Sequence, residues 1–392
     1  METVKGFKDY SGQEAEKRKK IKEIIVETFE KYGFEPAETP IIEQEEFVRG
    51  ENKQDEAVSD IFRLQDKGKR NLALRYEFTF QLKRLMNNKK LPYKRYQIGE
   101  VFRDEPVSSN RFRQFTQCDV DSIGSTVKEE AEILALSNDI LNKLGIEPVI
   151  LINNRKLLNE ILQDCKIKEK DREQVLREID KIGKIDEKQV KSNLKKLNAQ
   201  NVIKALKGGE SYFKKFSSYN QITSLMEYCK LYGIKVLFSP TLIRGLSYYN
   251  GNVFEVKTKG VTGNENISSN SPKRGLIKET LIAGGSYMFN NVQCTGISFG
   301  LDRISILAKI DINKEKYLVV SLGEDKEAVK LASRLRGKGK VVSLYYGKPS
   351  KALDYANSYN FQKVIFAGEK EVKAKKFKVK DMKSGREGIL KF

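Results

Sequence analysis

Histidine is wholly absent from the 392 residues, and so is tryptophan. The first absence excludes a Ser-His-Asp triad, an imidazole metal ligand and a histidine general base. Any catalysis must rest on arginine and backbone electrostatics, on carboxylates, or on the substrate's own groups. Cysteine is scarce: Cys118, Cys165, Cys229 and Cys294 are far apart and form no paired metal-ligand spacing, so reduced thiols are expected, with neither disulfide nor zinc. No apolar run reaches the length that spans a bilayer, and the start, METVKGFKDYSG, lacks the apolar core of a signal peptide. A cytoplasmic protein without membrane contact is expected. Negative charge is outweighed, with 53 acidic against 73 basic residues and a net charge of +20. Such an excess favours a polyanionic partner through phosphate neutralisation and steering, although a lysine-rich or heat-adapted surface gives the same balance.

What is present is a chain that is 39% hydrophobic and 32% charged, a soluble globular composition. Its length suits two or three domains, since domains usually run to ~100–200 residues. The central stretch is Tyr96–Asp121, YQIGEVFRDEPVSSNRFRQFTQCDVD. Two runs with two-residue alternation, Arg95–Arg103 and Arg113–Asp121, flank a polar loop with Asp104, Pro106, Ser108, Ser109 and Asn110, which predicts a long antiparallel hairpin. Alternation places Arg113, Phe115, Gln117, Asp119 and Asp121 on one side, and Gln114, Thr116, Cys118 and Val120 on the other. Arg103 ends the first run, Arg113 opens the second and Arg111 lies between, an arrangement suited to triphosphate oxygens or to an ordinary charged surface.

Taken in order, Gln13–Gly33 carries Ile21, Ile24, Ile25 and Phe29 at helical spacing and ends on a C′ glycine. Phe34–Glu43 is extended, with Pro36 and Pro40 suiting an edge or an interface. Asn52–Asp60 reads as a polar loop. Asn71–Leu85 begins as a strand and passes into a helix, with Arg75, Glu77 and Thr79 of one parity at the junction. Thr126 and Glu129 form a capping-box pattern before the helix Val127–Leu144, and Val149–Ile152 reads as a buried strand. Lysine- and glutamate-rich helical patterns fill Cys165–Leu225, an inserted helical module whose basic character fits nucleic-acid contact and a solvated face equally. Strand signal resumes at Ile234–Phe238. In Leu242–Val256 the Asn250-Gly251 pair predicts a hairpin turn. Arg244 precedes Gly245, Ala283–Tyr287 (AGGSY) permits close backbone approach, and Thr295–Arg303 predicts a strand turning into a helix at Gly300 with Arg303 in its first turn. Strand and helix patterns then alternate through the remaining residues, predicting a small, mainly parallel α/β domain.

These residues resemble a known family over nearly the whole chain. The Pro40 segment, the VFRDE…RFRQF hairpin and GISFGLDR look like the three ordered motifs of class II aminoacyl-tRNA synthetases. RGLSYYNGNVFE and AGGSY resemble the two segments peculiar to histidyl-tRNA synthetases, and LRYEFT, INNRKLL and QCDVD are similar to that family's archaeal and eukaryotic branch. The resemblance implies an α+β fold: a class II antiparallel sheet with flanking helices in residues 1–164 and 226–312, a helical insertion at 165–225, and a C-terminal α/β anticodon-binding domain at 315–392. It implies a homodimer joined partly through the Pro40 segment, ATP with its Mg2+ activating histidine to histidyl-adenylate, and transfer to the 3′ end of tRNA(His).

Carried over by position, the resemblance implies that Arg103 holds the α-phosphate and that Arg111 and Arg303 hold the outer phosphates. Glu105 would face the adenine amino group, Phe115 would stack on the ring, and Arg244 would stabilise charge on the α-phosphate. Glu77, Thr79, Gln117, Asp121, Tyr249 and Tyr287 would line the histidine pocket, and no protein-held metal is implied. Ser247 stands where the family commonly has aspartate, and Ser286, Tyr287 and Met288 stand where it has Arg-Tyr-Asp, changes expected to remove charge near the amino-acid pocket. The competing reading is a synthetase-like regulator, either a non-catalytic subunit in histidine biosynthesis or a sensor of uncharged tRNA. Arg103, Arg244, Arg303 and the C-terminal domain weigh against it.

Overall fold

The computed structural model describes residues 2–50, 60–108, 111–182, 185–244, 248–258, 280–312 and 315–390. Residues 52–59 of the expected polar loop, and Ser109, Asn110, Gly245 and Ser247, lie outside the described residues. The chain divides into two compact units, Met1–Ile310 and Asp311–Phe392.

Among the described residues the first unit is built on an eight-stranded sheet. Its strands are β1 (Glu35–Pro36), β5 (Tyr93–Phe102), β6 (Gln114–Ile123), β7 (Pro148–Asn154), β8 (Val236–Phe238), β9 (Tyr249–Thr258), β10 (Ile282–Phe289) and β11 (Val292–Gly300), in the order β1-β5-β6-β11-β10-β9-β7-β8. Neighbours pair antiparallel except at the edges, where β1 runs parallel to β5 and β8 parallel to β7. A smaller three-stranded sheet holds β2 (Ile42–Gln44), β3 (Arg63–Gln65) and β4 (Asn71–Leu74). Pro36 sits in the edge strand β1, where its missing N–H interrupts no ladder.

One face of the large sheet is covered by the helices Gly12–Lys31 and Val127–Lys143. Cys118, Val120, Ile297 and Phe299 from the strands join Ile21, Ile25, Phe29, Ile133, Leu134 and Leu141 from the helices in one core. Phe29 anchors it, its ring 5.4 Å from Tyr96 and 5.5 Å from Phe299; enclosing a side chain of this size contributes about 1.5–3 kcal/mol. Thr126 and Glu129 close the expected capping box on the second helix, satisfying donors that the first turn leaves unpaired. The segment after Cys165 folds as the helices Glu169–Asp180, Glu187–Lys196, Gln200–Leu206, Glu210–Lys214 and Tyr219–Leu231, whose buried Leu176, Val190, Val202 and Ile222 belong to the same core.

The Asn250-Gly251 turn is a misreading. Both residues lie inside β9, which runs unbroken from Tyr249 to Thr258. The Asn250 side-chain amide is occupied across the sheet by Gln293 (Nδ2 to Oε1 3.2 Å, and Gln293 Nε2 to Asn250 Oδ1 3.1 Å). Instead of a turn the pair gives an irregularity: β10 advances two residues from Gly285 to Tyr287 while β9 advances four from Val253 to Tyr249, so the extra residues bulge on β9.

In the second unit β12 (Lys316–Ser321), β13 (Val341–Tyr346) and β14 (Lys363–Ala367) pair in parallel, with helices Asp325–Gly337 and Pro349–Ser358 between them. The sequence reading missed β15 (Lys378–Asp381) and β16 (Glu387–Ile389), which extend the sheet antiparallel. With the sequences KVKD and EGI they are too short and too polar to show the apolar alternation that marks a half-buried strand.

Candidate functional site

The face of the large sheet opposite the helices carries the polar side chains. Cys118 and Val120 point into the helix-packed core, while Phe115 and Gln117 of the same strand line a cleft of ≈ 560 Å³, within the range of ligand pockets. Arg103, Glu105, Arg111, Arg244 and Arg303 line the same cleft. Residues far apart in the chain are thus gathered by β5, β6, β9, β10 and the end of β11.

Each cation is held in place. Arg103 Nε donates to the Tyr76 carbonyl at 3.2 Å, and its guanidinium lies 5.2 Å from the Phe115 ring centroid. Arg303 Nη1 donates to the Thr280 carbonyl at 2.7 Å. Arg244 Nη1 donates to Glu255 Oε1 at 3.2 Å, and Tyr249 hydrogen-bonds the same guanidinium. Burial alone would lower the Arg244 pKa; the facing Tyr249 and Glu255 outweigh it and raise the value on balance. Arg111 is paired with Glu105, so two residues expected to address different parts of one ligand hold each other.

Beyond Gln117 the cleft face continues into a buried floor. Asp121 Oδ2 is paired with Arg95 Nη2 at 2.7 Å, and Asp121 Oδ1 accepts from the Tyr287 hydroxyl at 2.5 Å. Arg95 also donates to the Phe78 carbonyl at 2.9 Å. Burial raises the Asp121 carboxyl above its ordinary range, opposed by Arg95 and by the Tyr287 hydrogen bond. Glu77 is buried and accepts from Tyr248 at 3.3 Å, and Thr79 hydrogen-bonds the same hydroxyl. Tyr249 and Tyr287 pack with Ile123, Val253 and Cys294. The five residues Glu77, Thr79, Asp121, Tyr249 and Tyr287 therefore sit behind or beside the open cleft rather than on its lining.

Close approach explains one glycine here. A Cβ on Gly296, which pairs with Asp121 across β11 and β6, would lie 2.1 Å from Asp121 Oδ1. The expectation that Ser286 alters charge near the amino-acid pocket is corrected: alternation turns it to the other face. There its hydroxyl donates to Glu130 of the helix Val127–Lys143, whose second oxygen accepts from Asn252 at 2.6 Å. Met288 is half-exposed. Sequence reading missed Arg95, Tyr248, Glu255 and Ser298. The signal available for Arg95 and Glu255 was a lone charge inside a strand, which surface strands also show.

Comparisons with known proteins point to one family. The profile of the family described as histidyl-tRNA synthetase matches residues 6–304. Histidine–tRNA ligase 1 of Bacillus cereus is 34% identical over 418 residues, spanning 99% of this chain and 94% of that protein. Histidine–tRNA ligase 2 of Shouchella clausii is 32% identical over 425 residues, spanning 100% of this chain and 98% of that protein. The crystal structure of histidyl-tRNA synthetase from Nostoc sp. PCC 7120 superposes with a TM-score of 0.81 at 25% identity, covering 99% of this chain and 96% of that one. With the profile matching most of its length and relatives aligned end to end, this chain belongs to the histidyl-tRNA synthetase family.

Proposed function

We propose that this protein is a histidine–tRNA ligase, activating histidine with ATP to histidyl-adenylate and transferring it to the 3′ end of tRNA(His). The observation that carries the reading is the convergence of Arg103, Arg244 and Arg303 on one cleft whose floor continues into Gln117 and buried carboxylates, in a chain of this family. Attack of the substrate carboxylate on the α-phosphorus forms one P–O bond and breaks the bond to pyrophosphate. The nucleophile is already ionised, so no general base is needed, only in-line placement and neutralisation of phosphoryl charge. A chain without histidine can supply that through arginine.

Arg103 and Arg244 act at the α-phosphate and Arg303 at the outer phosphates, with Phe115 against the adenine ring. Arg111 reaches the outer phosphates by leaving Glu105, and the same movement frees the Glu105 carboxylate for the adenine amino group. Mg2+ arrives on the phosphates of ATP, bound mainly by phosphate oxygens and water. Glu77, Thr79, Gln117, Asp121, Tyr249 and Tyr287 surround the substrate side chain and ammonium, both of them donors that suit carboxylate and hydroxyl acceptors.

The protein acts in the cytoplasm as a homodimer. Ile41, Ile42 and Leu64, exposed around the small sheet that includes the end of the Pro40 segment, support pairing there. Among the described residues no helix is long and apolar enough to cross a membrane. Residues 315–392 read the anticodon, and the net charge of +20 favours tRNA as the polyanion. Charging of tRNA(His) with labelled histidine tests the reading; ATP-dependent charging is expected, and its absence with active-site-titrated protein would favour the regulatory alternative.

A further inference from the structure

The amino-terminal segment ahead of the helix Gly12–Lys31 reaches the cleft through Asp302. Pairing between β11 and β6 ends at Gly300 and Gln117, because the chain turns there into the helix Leu301–Leu307. The N–H of Thr116, the next residue along β6, is taken instead by Asp302 Oδ2 at 2.9 Å. The other carboxylate oxygen accepts from the Tyr10 hydroxyl at 2.7 Å and from Arg18 Nη1 at 2.6 Å. Arg18 Nη2 donates in turn to Thr116 Oγ1 at 2.9 Å, so that backbone, carboxylate, guanidinium and hydroxyl close a ring. Tyr10 caps it, with its ring centroid 3.8 Å from Arg18 Cζ.

Asp302 is the chain neighbour of Arg303, and both line the cleft with Phe115. Phe115 is placed by the hairpin itself, through its pairing with Val101 on β5. The start of the helix that carries Arg303 is tied to β6 by the Asp302 side chain rather than by ladder pairing. This tie is well shielded: the Arg18 and Asp302 side chains are 10% and 13% exposed, so salt and water screen the pair little. The amino-terminal segment is itself anchored on the hairpin. The Gly6 carbonyl accepts from Arg113 N at 2.9 Å and Gln114 N at 3.3 Å, and the Phe7 ring lies 6.0 Å from Phe62 and 6.4 Å from Phe102. Burial and the Asp302 hydrogen bond push the Tyr10 hydroxyl above its ordinary range, which keeps it a donor at neutral pH.

We propose that Asp302, clasped by Tyr10 and Arg18, is a positioning residue that sets Arg303 against Phe115 so that one ATP molecule spans both. The proposal rests on the ATP-activating reading and extends it to three residues which that reading leaves unused. Both Asp302 oxygens are already engaged, so its effect on ATP passes through Arg303. When the clasp is lost, β6 keeps its pairing with β5 while the helix start loses its tie to β6. Misplacement of a group by ~1 Å is enough to cost roughly 10²-fold in rate.

The test is calorimetric titration of the full-length protein with ATP and with adenosine, which offers a ring to Phe115 but no phosphate to Arg303. Asp302→Asn is expected to weaken ATP roughly tenfold or more, the range for a bond to a charged group, and to leave adenosine within about twofold. Arg18→Met is expected to do the same, and Arg18→Lys, which keeps the ion pair, to recover most of the loss. In ATP–pyrophosphate exchange the damaged variants are expected to raise the ATP KM and leave the histidine KM unchanged, a split that a general loss of stability does not give. Tyr10→Phe removes one hydroxyl and keeps the ion pair, so it decides the matter where the other variants do not fold; roughly a threefold loss for ATP alone is expected. Equal losses for ATP and adenosine would overturn the proposal and leave the clasp as support for the fold alone. So would unchanged ATP affinity in Asp302→Asn, or in Tyr10→Phe where only that variant folds. Failure of the wild-type protein to bind ATP would instead overturn the reading on which the proposal rests, and the proposal with it.

Discussion

Arg95 and Asp121 form an ion pair that solvent does not reach: Nη2 lies 2.7 Å from Oδ2, with the arginine side chain fully enclosed and the aspartate 5% exposed. The pair ties β5 to β6 where the sheet passes under the site, and it fixes the carboxylate that Tyr287 also contacts. Removing one member leaves the other buried and uncompensated, at a cost of about 3–5 kcal/mol. Arg95→Met is expected to lower unfolding free energy by that amount, followed in urea by tyrosine fluorescence because tryptophan is absent. A change below about 1 kcal/mol would mean that the pair is not structural.

Asp121→Asn keeps the shape but removes the charge and one of the two acceptor oxygens that Arg95 and Tyr287 use. The histidine KM in ATP–pyrophosphate exchange is expected to rise roughly 10- to 100-fold, the range for a bond to a charged group, with the ATP KM little changed. Equal changes in both constants would remove Asp121 from the amino-acid pocket.

Gly296 has no room for a side chain, because a Cβ there would meet Asp121 Oδ1 at 2.1 Å. Asp121 cannot yield without breaking its contacts to Arg95 and Tyr287. Gly296→Ala is therefore expected to destabilise the protein by about 1–3 kcal/mol, as overpacking does, and to raise the histidine KM. Normal kinetics in this variant would contradict the packing of β6 against β11.

Glu255 holds Arg244 at 3.2 Å and also contacts Lys257 at 3.3 Å. Glu255→Gln is expected to lower kcat about tenfold, by loosening a group proposed to act on transition-state charge, while the histidine KM stays within twofold. A matching rise in that KM would place Glu255 in substrate binding instead.

Much of this was legible in local pattern. Two-residue alternation sorted Phe115, Gln117, Asp119 and Asp121 from Cys118 and Val120, and the sheet keeps that division. Spacing and capping placed helices over Gln13–Gly33 and Val127–Leu144, and the structure forms them at Gly12–Lys31 and Val127–Lys143. What alternation does not carry is the partner across the sheet. The Arg95–Asp121 and Arg244–Glu255 pairs depend on register, the Asn250-Gly251 pair became a bulge within β9 rather than a turn, and the direction of Ser286 became visible only with its strand in place. Three-dimensional pairing, not propensity, decides these.

Asp119 gives the fold a pH signature. Its carboxyl is pushed up to about 7 when folded, against ~3.9 for an unperturbed aspartate. Between these values the folded chain holds a proton that the unfolded chain has lost. The contribution of Asp119 to stability is thus full below about pH 4, falls as pH rises toward 7, and levels off above it, a loss of a few kcal/mol at ~1.4 per pH unit. Comparing urea unfolding of wild-type protein and Asp119→Asn from pH 4.5 to 8 isolates the contribution: the wild-type curve should fall relative to that of the variant. Parallel curves would mean that the carboxyl titrates normally.

The central claim is activation of histidine by arginines gathered on one cleft. Its most direct test is amino-acid-dependent ATP–pyrophosphate exchange, run with each amino acid in turn on wild-type protein and on Arg244→Ala. Histidine alone is expected to support exchange, and Arg244→Ala is expected to abolish it or reduce it by at least roughly 10²–10³, the loss seen when one stabilising donor is removed, without loss of the folded state. Exchange driven by another amino acid, or undiminished exchange with histidine in Arg244→Ala, would contradict the account.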